Sequence, residues 1–491
     1  MRIQTRPTGH LVQTGLLLFT LACVVILTEP ALAQLGDSKQ TSAGKIKLAT
    51  KELSFGKVPL LALLEQAVAS PDFRHLAYPV VRGGQRTVCL DGVEGPRYDQ
   101  VRRIQFSPDG RRLAYQALRG GKSLVVLDGV ESPELDDLAD VDVVFSPNSK
   151  RIAYHARRGD EMLMVLDGRE SPVFDNIGAR SMIFSPDSSR FAFVGHRSKK
   201  QFVVVEGEKG PEFDGVAMGS LMFSPDSRHC VYTAERDGKW MMILDGVESA
   251  TIRSLPAVAP VFSPDSVRLA YSAGDENDWR VVVDGKEGLR FDGIGAEEAI
   301  IFSRDSRRVA YVAIRGDKQL VVVDGNESPE VDGVMGSGGF VFSPDSCHTA
   351  YACKRRGKWV VVLDGKEGPG FDGISQYSLQ FSPNSQRFAY AAGRGNKKLA
   401  VIDGKESPEL EAMLRPGPLF SPDSRHVAYA GGTGGKGGHG WFVVDGQKSE
   451  AYDNFRGFRW ESSDLIRAIA FRFDESFNKV ALRVEIRIVE E

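Results

Sequence analysis

One motif recurs ten times along this chain at a nearly constant interval. It consists of a lead residue, usually Phe, then Ser-Pro-Asp or a close variant, a basic residue and Ala-Tyr. The interval is 39 or 40 residues, and the lead phenylalanines are Phe106, Phe145, Phe184, Phe223, Phe262, Phe302, Phe342, Phe381 and Phe420. A fixed period of this length indicates a repeat architecture, in which each unit packs mainly against its neighbours. The repeat therefore constrains the fold class before any single residue is considered.

The unit from residue 143 to residue 174 shows how one repeat is built. It contains three apolar runs typical of short buried strands, and Ser146-Pro147-Asn148 supplies a tight turn between the first two. Asp167-Gly168 turns the chain into a weaker fourth strand, where Pro172 is tolerated only if its missing N–H faces outward. The four strands, a to d, therefore run from hub to rim of an antiparallel sheet, as in one propeller blade.

The predicted fold class is all-β, a β-propeller of repeated four-stranded antiparallel blades. Residues 51–58 resemble the d-strand 209–216 but have no blade before them, whereas residues 460–488 supply three strands without a fourth. We expect strand 51–58 to pair with 460–488 and close the last blade, so that about eleven blades span residues 51–491. One closed array is expected. Two rings, of five and six blades, are the alternative, with the break at residues 252–257.

The repeat also carries a family resemblance. The Ser-Pro-Asp hairpin, followed by a basic residue, an apolar residue and Ala-Tyr, resembles the WD40-like repeat of the TolB type, found in exported bacterial β-propellers. The resemblance covers residues 51 to 488. It implies the propeller fold and leaves the ligand open, because one fold hosts many functions.

The N-terminus has the features of an export signal. Arg2 and Arg6 precede an apolar stretch from Leu16 to Leu27, and Ala31-Leu32-Ala33 has the small-x-small pattern of a cleavage site. We expect residues 1–33 to be a signal peptide cleaved after Ala33, and residues 34–50 to be a linker. The mature protein would then be periplasmic or secreted and have no membrane span. A retained membrane anchor is the alternative.

Charge and motifs limit the possible functions. The net charge is −3, from 62 basic and 65 acidic side chains, which argues against a nucleic-acid partner because such binding needs a basic surplus. The four histidines of the basic series share their position with arginines, and each Asp-Gly pair carries a single carboxylate. A structural role is predicted for both series, so no metal and no cofactor is expected. No linear catalytic motif occurs in the sequence.

The b–c turns differ most between repeats and carry the candidate site. By propeller geometry they share one face with the d-to-a connections, where a basic rim could attract an anionic ligand. The opposing interpretation is that these side chains are solvated and partly neutralised by aspartates at the ends of the d-strands. The candidate partner-binding residues are Arg157, Arg158, Arg197, Lys199, Lys200, Lys354, Arg355, Arg356, Lys358, Arg394, Lys397 and Lys398.

The sequence therefore predicts an exported, non-catalytic β-propeller. Its partner would be a protein or an anionic cell-envelope component, bound through the face of the b–c and d–a loops. The alternative function is a propeller enzyme, a hydrolase or lyase, whose dispersed catalytic residues line the central channel.

Overall fold

The structure is a computed structural model. It describes residues 46–490 except 138–142, 179, 253–258, 276, 296–299, 434–437, 475 and 477. The predicted signal peptide, the first part of the predicted linker and nearly all of the irregular stretch at 252–257 lie outside the described residues.

Eleven antiparallel sheets follow one another along the chain and form the blades of a propeller ring. In each blade the strands are hydrogen-bonded in the order a-b-c-d. The blades are numbered 1 to 11 in chain order, from the one that contains Leu76–Arg82. This confirms the all-β propeller predicted from the repeat. Turns a–b and c–d lie at one end of each sheet and form the turn face, whereas turns b–c and the d-to-a crossovers form the loop face.

The two central strands of each blade are the most regular elements. The b-strands are Leu76–Arg82, Leu113–Arg119, Ile152–Arg158, Phe191–Arg197, Cys230–Arg236, Leu269–Asp275, Val309–Arg315, Thr349–Arg355, Phe388–Arg394, Val427–Gly432 and Leu465–Phe473. The c-strands are Gln85–Leu90, Lys122–Leu127, Glu161–Leu166, Lys200–Val205, Lys239–Leu244, Asp278–Val283, Lys318–Val323, Lys358–Leu363, Lys397–Ile402, Gly440–Val444 and Lys479–Glu490.

The outer d-strands are mostly short. They are Val93–Tyr98, Val130–Glu131, Arg169–Glu170, Glu208–Lys209, Val247–Ile252, Lys286–Phe291, Asn326–Glu327, Lys366–Glu367, Lys405–Glu406, Gln447–Lys448 and, for blade 11, Ile46–Lys57. In most blades one more residue rejoins the c-strand after an irregularity, as Phe174 does with Met162. Irregular edges of this kind discourage pairing with other chains.

Among the described residues, the inner a-strands are divided into two pieces in six blades, which the sequence did not predict. In blade 4, Asn176–Ile177 pairs with the loop-face end of the b-strand, and Ile183–Phe184 pairs with its other end. The a-strands are Val68–Ala69, Gln100–Phe106, Val144–Phe145, Asn176–Ile177 with Ile183–Phe184, Gly215–Val216 with Met222–Phe223, Val261–Phe262, Gly293–Ile294 with Ile300–Phe302, Gly333–Val334 with Phe340–Phe342, Gly373–Ile374 with Gln380–Phe381, Ala412–Met413 with Leu419–Phe420, and Asn454–Ser462. A 3-10 helix, Leu64–Gln66, precedes the first of them.

Blade 11 is assembled from both ends of the described chain. Strand Ile46–Lys57 pairs antiparallel with Lys479–Glu490 and completes the sheet as its outer strand. It begins at Ile46, so residues 46–50 are strand and not linker. Glu52 on this strand accepts hydrogen bonds from the Tyr452 hydroxyl at 2.8 Å and from Arg472 Nη1 at 2.9 Å. The first strand is thus tied both to blade 10 and to the b-strand of blade 11.

Apolar packing between successive blades is continuous around the ring. Within blade 3 the two faces of the sheet contribute to separate clusters, one shared with blade 2 and the other with blade 4. One cluster contains residues of blades 5 and 6, and another joins Tyr78 and Val80 of blade 1 to Ile469 and Phe471 of blade 11. The alternative of two separate rings is therefore wrong, because blade 5 packs on blade 6 and blade 11 packs on blade 1.

The repeated alanine of Ala-Tyr provides the close approach between blades. Ala114 is fully buried in one cluster with Tyr154 of the next blade, and Ala310 is almost fully buried with Tyr351 of the next. A small side chain on one sheet thus accommodates an aromatic ring from the next, as the sequence predicted. A larger residue in place of either alanine would overpack the interface.

On the turn face, the basic residue of the motif also joins each blade to the next. Arg308 Nε donates to Asp324 Oδ2 of its own blade at 2.9 Å. Its Nη1 donates to the carbonyl oxygens of Ser346 and Cys347 in the next blade at 3.0 and 3.1 Å. The guanidinium carbon lies 5.2 Å from the ring centroid of Phe342, the lead residue of that blade. The predicted structural role of this series is confirmed.

Histidine performs the same role where it replaces arginine. His348 Nδ1 lies 2.7 Å from Asp364 Oδ2, and the imidazole stacks on Phe381 with a centroid separation of 6.2 Å. The stacking on the next lead aromatic holds for the whole series, His75, Arg112, Arg151, Arg190, His229, Arg268, Arg308, His348, Arg387 and His426. The four histidines therefore do not converge on a metal.

The Asp-Gly pairs are tight turns, as predicted. Asp324 and Gly325 have φ angles of 52° and 80°, the left-handed values that a two-residue hairpin requires. Asp324 Oδ1 also accepts a hydrogen bond from the backbone N–H of Val309 at 2.9 Å. Its two carboxylate oxygens are thus both used in holding the blade together.

Among the described residues, no helix is long and apolar enough to cross a membrane.

The closing strand is expected to be required for a stable ring. We predict that a chain starting at residue 58 melts at a clearly lower temperature than a chain starting at residue 46. Loss of the strand exposes the edge of Lys479–Glu490 and leaves the Tyr452 hydroxyl without Glu52, which alone costs about 1–3 kcal/mol. Thermal unfolding followed by circular dichroism measures the difference. Equal melting temperatures would contradict the structural role of this strand.

A buried histidine is expected to make the fold sensitive to acid. His155 is only 4% exposed, and its ring nitrogens have no hydrogen-bond partner in the described part of the chain. Burial lowers the pKa of His155 from 6.5 to about 4. Since the unfolded chain binds the proton more readily, stability is complete above pH 6.5 and declines as the pH falls towards 4, by about 2 kcal/mol at pH 5.

The variant His155→Val tests this, because Val194 and Val312 occupy the same position in blades 4 and 7. Between pH 7.5 and pH 5, its melting temperature should fall less than that of the unmodified protein. Gln116→Val, at the same position in blade 2, is the control for packing and should leave the pH dependence unchanged. If the melting temperatures of His155→Val and of the unmodified protein fall by equal amounts between pH 7.5 and pH 5, the predicted contribution of His155 to acid sensitivity is wrong.

Candidate functional site

The b–c turns place the candidate cations at the loop face. In most blades these turns contain glycine at left-handed φ, as in Gly120-Gly121 of blade 2. Blade 4 instead has Ser198-Lys199, with φ of 52° and 66°, and blade 8 has Arg356-Gly357, with φ of 52° at the arginine. A side chain in this region costs about 1–2 kcal/mol relative to glycine, so turn formation alone does not favour Lys199 or Arg356.

Several predicted site residues belong to an ion pair that recurs between b- and d-strands. Arg158 binds Glu170 with both terminal nitrogens, at 2.7 and 2.8 Å, and Arg394 binds Glu406 at 2.9 Å. Arg355 pairs with Glu367 in the same way. Equivalent pairs occur in blades where no site was predicted, such as Arg315 with Glu327. These arginines are therefore part of the repeat, as is Arg197, whose Nη2 donates to the carbonyl oxygen of Val173.

The lysines at the start of the c-strands are also paired. Lys200 Nζ lies 2.5 Å from Asp214 Oδ1, and Lys358 Nζ lies 2.6 Å from Asp372 Oδ1. The other oxygen of Asp372 accepts the backbone N–H of Gly395 in the next blade at 2.7 Å. The hydrogen bond from this N–H lowers the pKa of Asp372 below its usual value, and the hydrogen bond from Lys358 is the second cause. The predicted neutralisation by d-strand aspartates is thus present, and Lys397 pairs similarly with Glu411 at 3.3 Å.

Five of the twelve predicted residues make no side-chain hydrogen bond or ion pair with any residue that the structure describes. All five are exposed, and they fall into two arcs of the loop face, on blades 3 and 4 and on blades 8 and 9. We call them the free cations: Arg157, Lys199, Lys354, Arg356 and Lys398. Their charge is available to a ligand, unlike that of their paired neighbours.

Two large, exposed apolar side chains lie between the two pieces of an inner a-strand. Met218, in blade 5, is 80% exposed, and Tyr377, in blade 9, is 52% exposed. Exposed aromatic and methionine side chains are typical of protein-binding surfaces.

A cavity of about 190 Å³ opens between blades 4 and 5, beside the segments that divide their inner a-strands. Its polar lining comes from Arg180, Ser181, His196 and Gln201. Its apolar lining includes Val194, Val216, Met218 and Leu221. Partial burial lowers the pKa of His196 against the opposing effect of Asp175, which favours the neutral imidazole at neutral pH.

The hydrogen bonds in this cavity limit what it can offer a ligand. Ser181 Oγ accepts the backbone N–H of Val194 at 3.0 Å and donates to the carbonyl oxygen of Gly178 at 2.7 Å. Gln201 Oε1 accepts the backbone N–H of Val216 at 2.8 Å. The groups left for a ligand are therefore mainly donors, from Arg180, from the amide nitrogen of Gln201 and from His196.

Sequence reasoning did not identify Arg180, His196, Met218 or Tyr377. It gave weight to the charged b–c turns and treated the crossovers only as connections. A signal was present: between each Asp-Gly-Val or Asp-Gly-Ile and the next Phe-Ser, the residues differ from repeat to repeat. The long loop 431–440 was also singled out. Its ends are joined by a hydrogen bond from Thr433 N to His439 O at 2.9 Å, and residues 434–437 lie outside the described residues.

Comparison with known proteins finds similarity only among solved structures. No protein-family model and no curated protein matches the chain. Among solved structures, a eukaryotic initiation factor is similar over 69% of this chain and 96% of its own, with 13% identity and a TM-score of 0.37. TolB from Acinetobacter baumannii is similar over 62% and 77%, with 18% identity and a TM-score of 0.23. The β-propeller domain of the trilobed protease from Pyrococcus furiosus is similar over 52% and 93%, with 15% identity and a TM-score of 0.26.

Proposed function

We propose that this chain is an exported, non-catalytic β-propeller that binds a protein or an anionic cell-envelope component through its loop face. The observation that carries the proposal is the position of Lys199 and Arg356. Both are exposed and unpaired among the described residues, and both occupy left-handed turn positions where glycine would cost less. Backbone strain at a charged surface residue is a reason to infer a functional role for the side chain.

The remaining free cations strengthen this interpretation. Arg157 and Lys354 occupy the same position near the end of the b-strand, two places after the buried His155 and Ala352. Met218 and Tyr377 add exposed apolar surface on the inner strands of blades 5 and 9. A partner with acidic groups around an apolar anchor would be complementary in both charge and polarity. Salt should weaken its binding, because these charges are exposed.

The enzyme alternative would need titratable side chains that converge on one reacting atom. The two described histidines with a lowered pKa are His155 and His196. They lie on successive blades, and each faces the following blade. Ala153 and Val194, two residues before them on the same faces of their strands, pack into the clusters with blades 4 and 5. This arrangement separates the two imidazoles into different interfaces.

Export is tested at the N-terminus. We predict that the protein expressed with its full sequence in a bacterium with a general secretion pathway is recovered with Gln34 as its first residue. Intact mass and N-terminal peptide sequencing of the cell-envelope fraction measure this. A chain that retains residues 1–33 and stays with the membrane would instead support the anchor.

Charge reversal tests the binding face. The variant carries Arg157→Glu, Lys199→Glu, Lys354→Glu, Arg356→Glu and Lys398→Glu. A matched control reverses five exposed cations on the turn-face side of the blades, by Lys150→Glu, Arg169→Glu, Lys286→Glu, Lys366→Glu and Lys405→Glu, with the same change in net charge. Each protein is immobilised and exposed to a detergent extract of its own cell envelope, and the retained components are identified by mass spectrometry.

We expect the loop-face variant to lose components that the control retains, and increasing salt to have the same effect on the unmodified protein. The free energy of unfolding of both variants should lie within about 1 kcal/mol of that of the unmodified protein, since exposed charges contribute little to stability. An unchanged set of partners in the loop-face variant, or equal losses in both variants, would refute the proposal.

A further inference from the structure

The cavity between blades 4 and 5 opens beside Gln201, the second residue of the c-strand of blade 4. At the second position of the c-strand, blades 5, 6 and 8 carry Trp240, Trp279 and Trp359. Each indole is packed into the cluster that its blade shares with the next. Blade 4 has Gln201 at this position, and the inner segments beside it carry Gly178 and Ala217. The side chain here is therefore smaller than the indole of those three blades, and a cavity lies next to it.

The open space combines one cation with an apolar wall. Arg180 is exposed and makes no ion pair with any residue in the described ranges. Asp175 is the carboxylate that influences this region, because its charge opposes the lowering of the His196 pKa. Its Oδ2 already accepts a hydrogen bond from the backbone N–H of Ser198 at 2.6 Å. Val194, Val216 and Leu221 supply the apolar wall. A ligand that satisfies both parts has an anionic group at one end and a compact apolar body at the other.

The available hydrogen bonds favour a carboxylate as the anionic group. Ser181 uses its hydroxyl proton on Gly178, and Gln201 uses its carbonyl oxygen on Val216. The cavity therefore presents donors for which a carboxylate has matching acceptors, and an arginine can bind both oxygens of such a group. A neutral ligand of the same shape would lack this charge-assisted contact with the arginine.

We propose that the cavity lined by Arg180, His196, Gln201, Val194, Val216 and Leu221 binds a small carboxylate with an apolar body. This chemistry has two sources, a free organic acid or the C-terminal residue of a peptide. The site is separate from the free cations of the loop face and does not depend on the proposed partner. It would give this propeller a pocket for one small group in addition to a surface for a large partner.

Fluorine NMR of the full chain tests the site, with 4-fluorophenylacetate as the free acid and 4-fluorophenylacetamide as its neutral isostere. We expect saturable broadening and shift of the acid signal and at least about tenfold weaker binding of the amide, because a charge-assisted bidentate contact is lost. A second arm uses a short peptide that ends in 4-fluorophenylalanine, with either a free or an amidated C-terminus. Binding of the free-ended peptide alone assigns the site to chain ends, whereas binding of the acid alone assigns it to small molecules.

Two variants and two controls connect the binding to the cavity. Gln201→Trp places in blade 4 the residue found in blade 5 and should abolish binding. Its control is Gln319→Trp in blade 7, where Gln319 makes the same hydrogen bond to a backbone N–H, that of Val334, at 2.6 Å. Arg180→Gln should weaken binding about tenfold, whereas Arg169→Gln, an exposed arginine elsewhere, should not change it.

Arg180→Gln alters only an exposed side chain, so it remains informative if Gln201→Trp fails to fold. The proposal is overturned if neither the acid nor the free-ended peptide binds saturably. It is also overturned if binding survives in both Gln201→Trp and Arg180→Gln, or if the amide binds as tightly as the acid.

Discussion

The contact between successive blades is the interaction on which the rest of this structure depends. On one side of most sheets a buried alanine leaves room, and on the facing side the next blade inserts a tyrosine or phenylalanine. At the turn face, a basic side chain then stacks on the lead aromatic residue of that blade. Because similar contacts are repeated at most junctions, each blade constrains the position of the next, and small differences in angle accumulate around the ring. An eleven-bladed ring follows from many equal interfaces and not from one large core.

Such a ring has to close, and here the closing blade combines two segments that are far apart in the sequence. Blade 11 takes three strands from one end of the described chain and its outer strand, Ile46–Lys57, from the other. Glu52 connects that strand to Tyr452 of the preceding blade and to Arg472 of its own. Bringing the two ends together costs chain entropy, but the cost grows only slowly with the length of the loop. A single blade with strand pairing and buried hydrogen bonds can therefore hold a ring of this size closed.

Most of the charged side chains on the loop face do not form a binding site, because they are paired with acidic residues. Arg158 and Lys358 carry the formal charge that suggested ligand binding, yet Arg158 pairs with Glu170 on the d-strand of its blade and Lys358 pairs with Asp372, just after the d-strand of its blade. What distinguishes the free cations is the absence of such a partner among the described residues and, for Lys199 and Arg356, a backbone conformation that favours glycine. The cavity between blades 4 and 5 lies beside Gln201, at the position where blades 5, 6 and 8 carry a tryptophan. Function is proposed where the repeat is interrupted.

The sequence by itself determined the blade, the order of its strands, the tight Asp-Gly turns and the structural role of the basic series. All of these depend on contacts within one repeat or on a residue type that recurs in each repeat, so the period makes them visible. The tertiary structure alone decided that blades 5 and 6 pack together in a single ring, and that the inner strand is divided in blades such as blade 4. It also decided which cations are neutralised. The partner of Arg158 is a residue twelve positions away on another strand, and the partner of Lys358 is fourteen positions away. Charge counted along the chain cannot show which side chains meet across a sheet, since that depends on strand register and on how closely the next blade approaches.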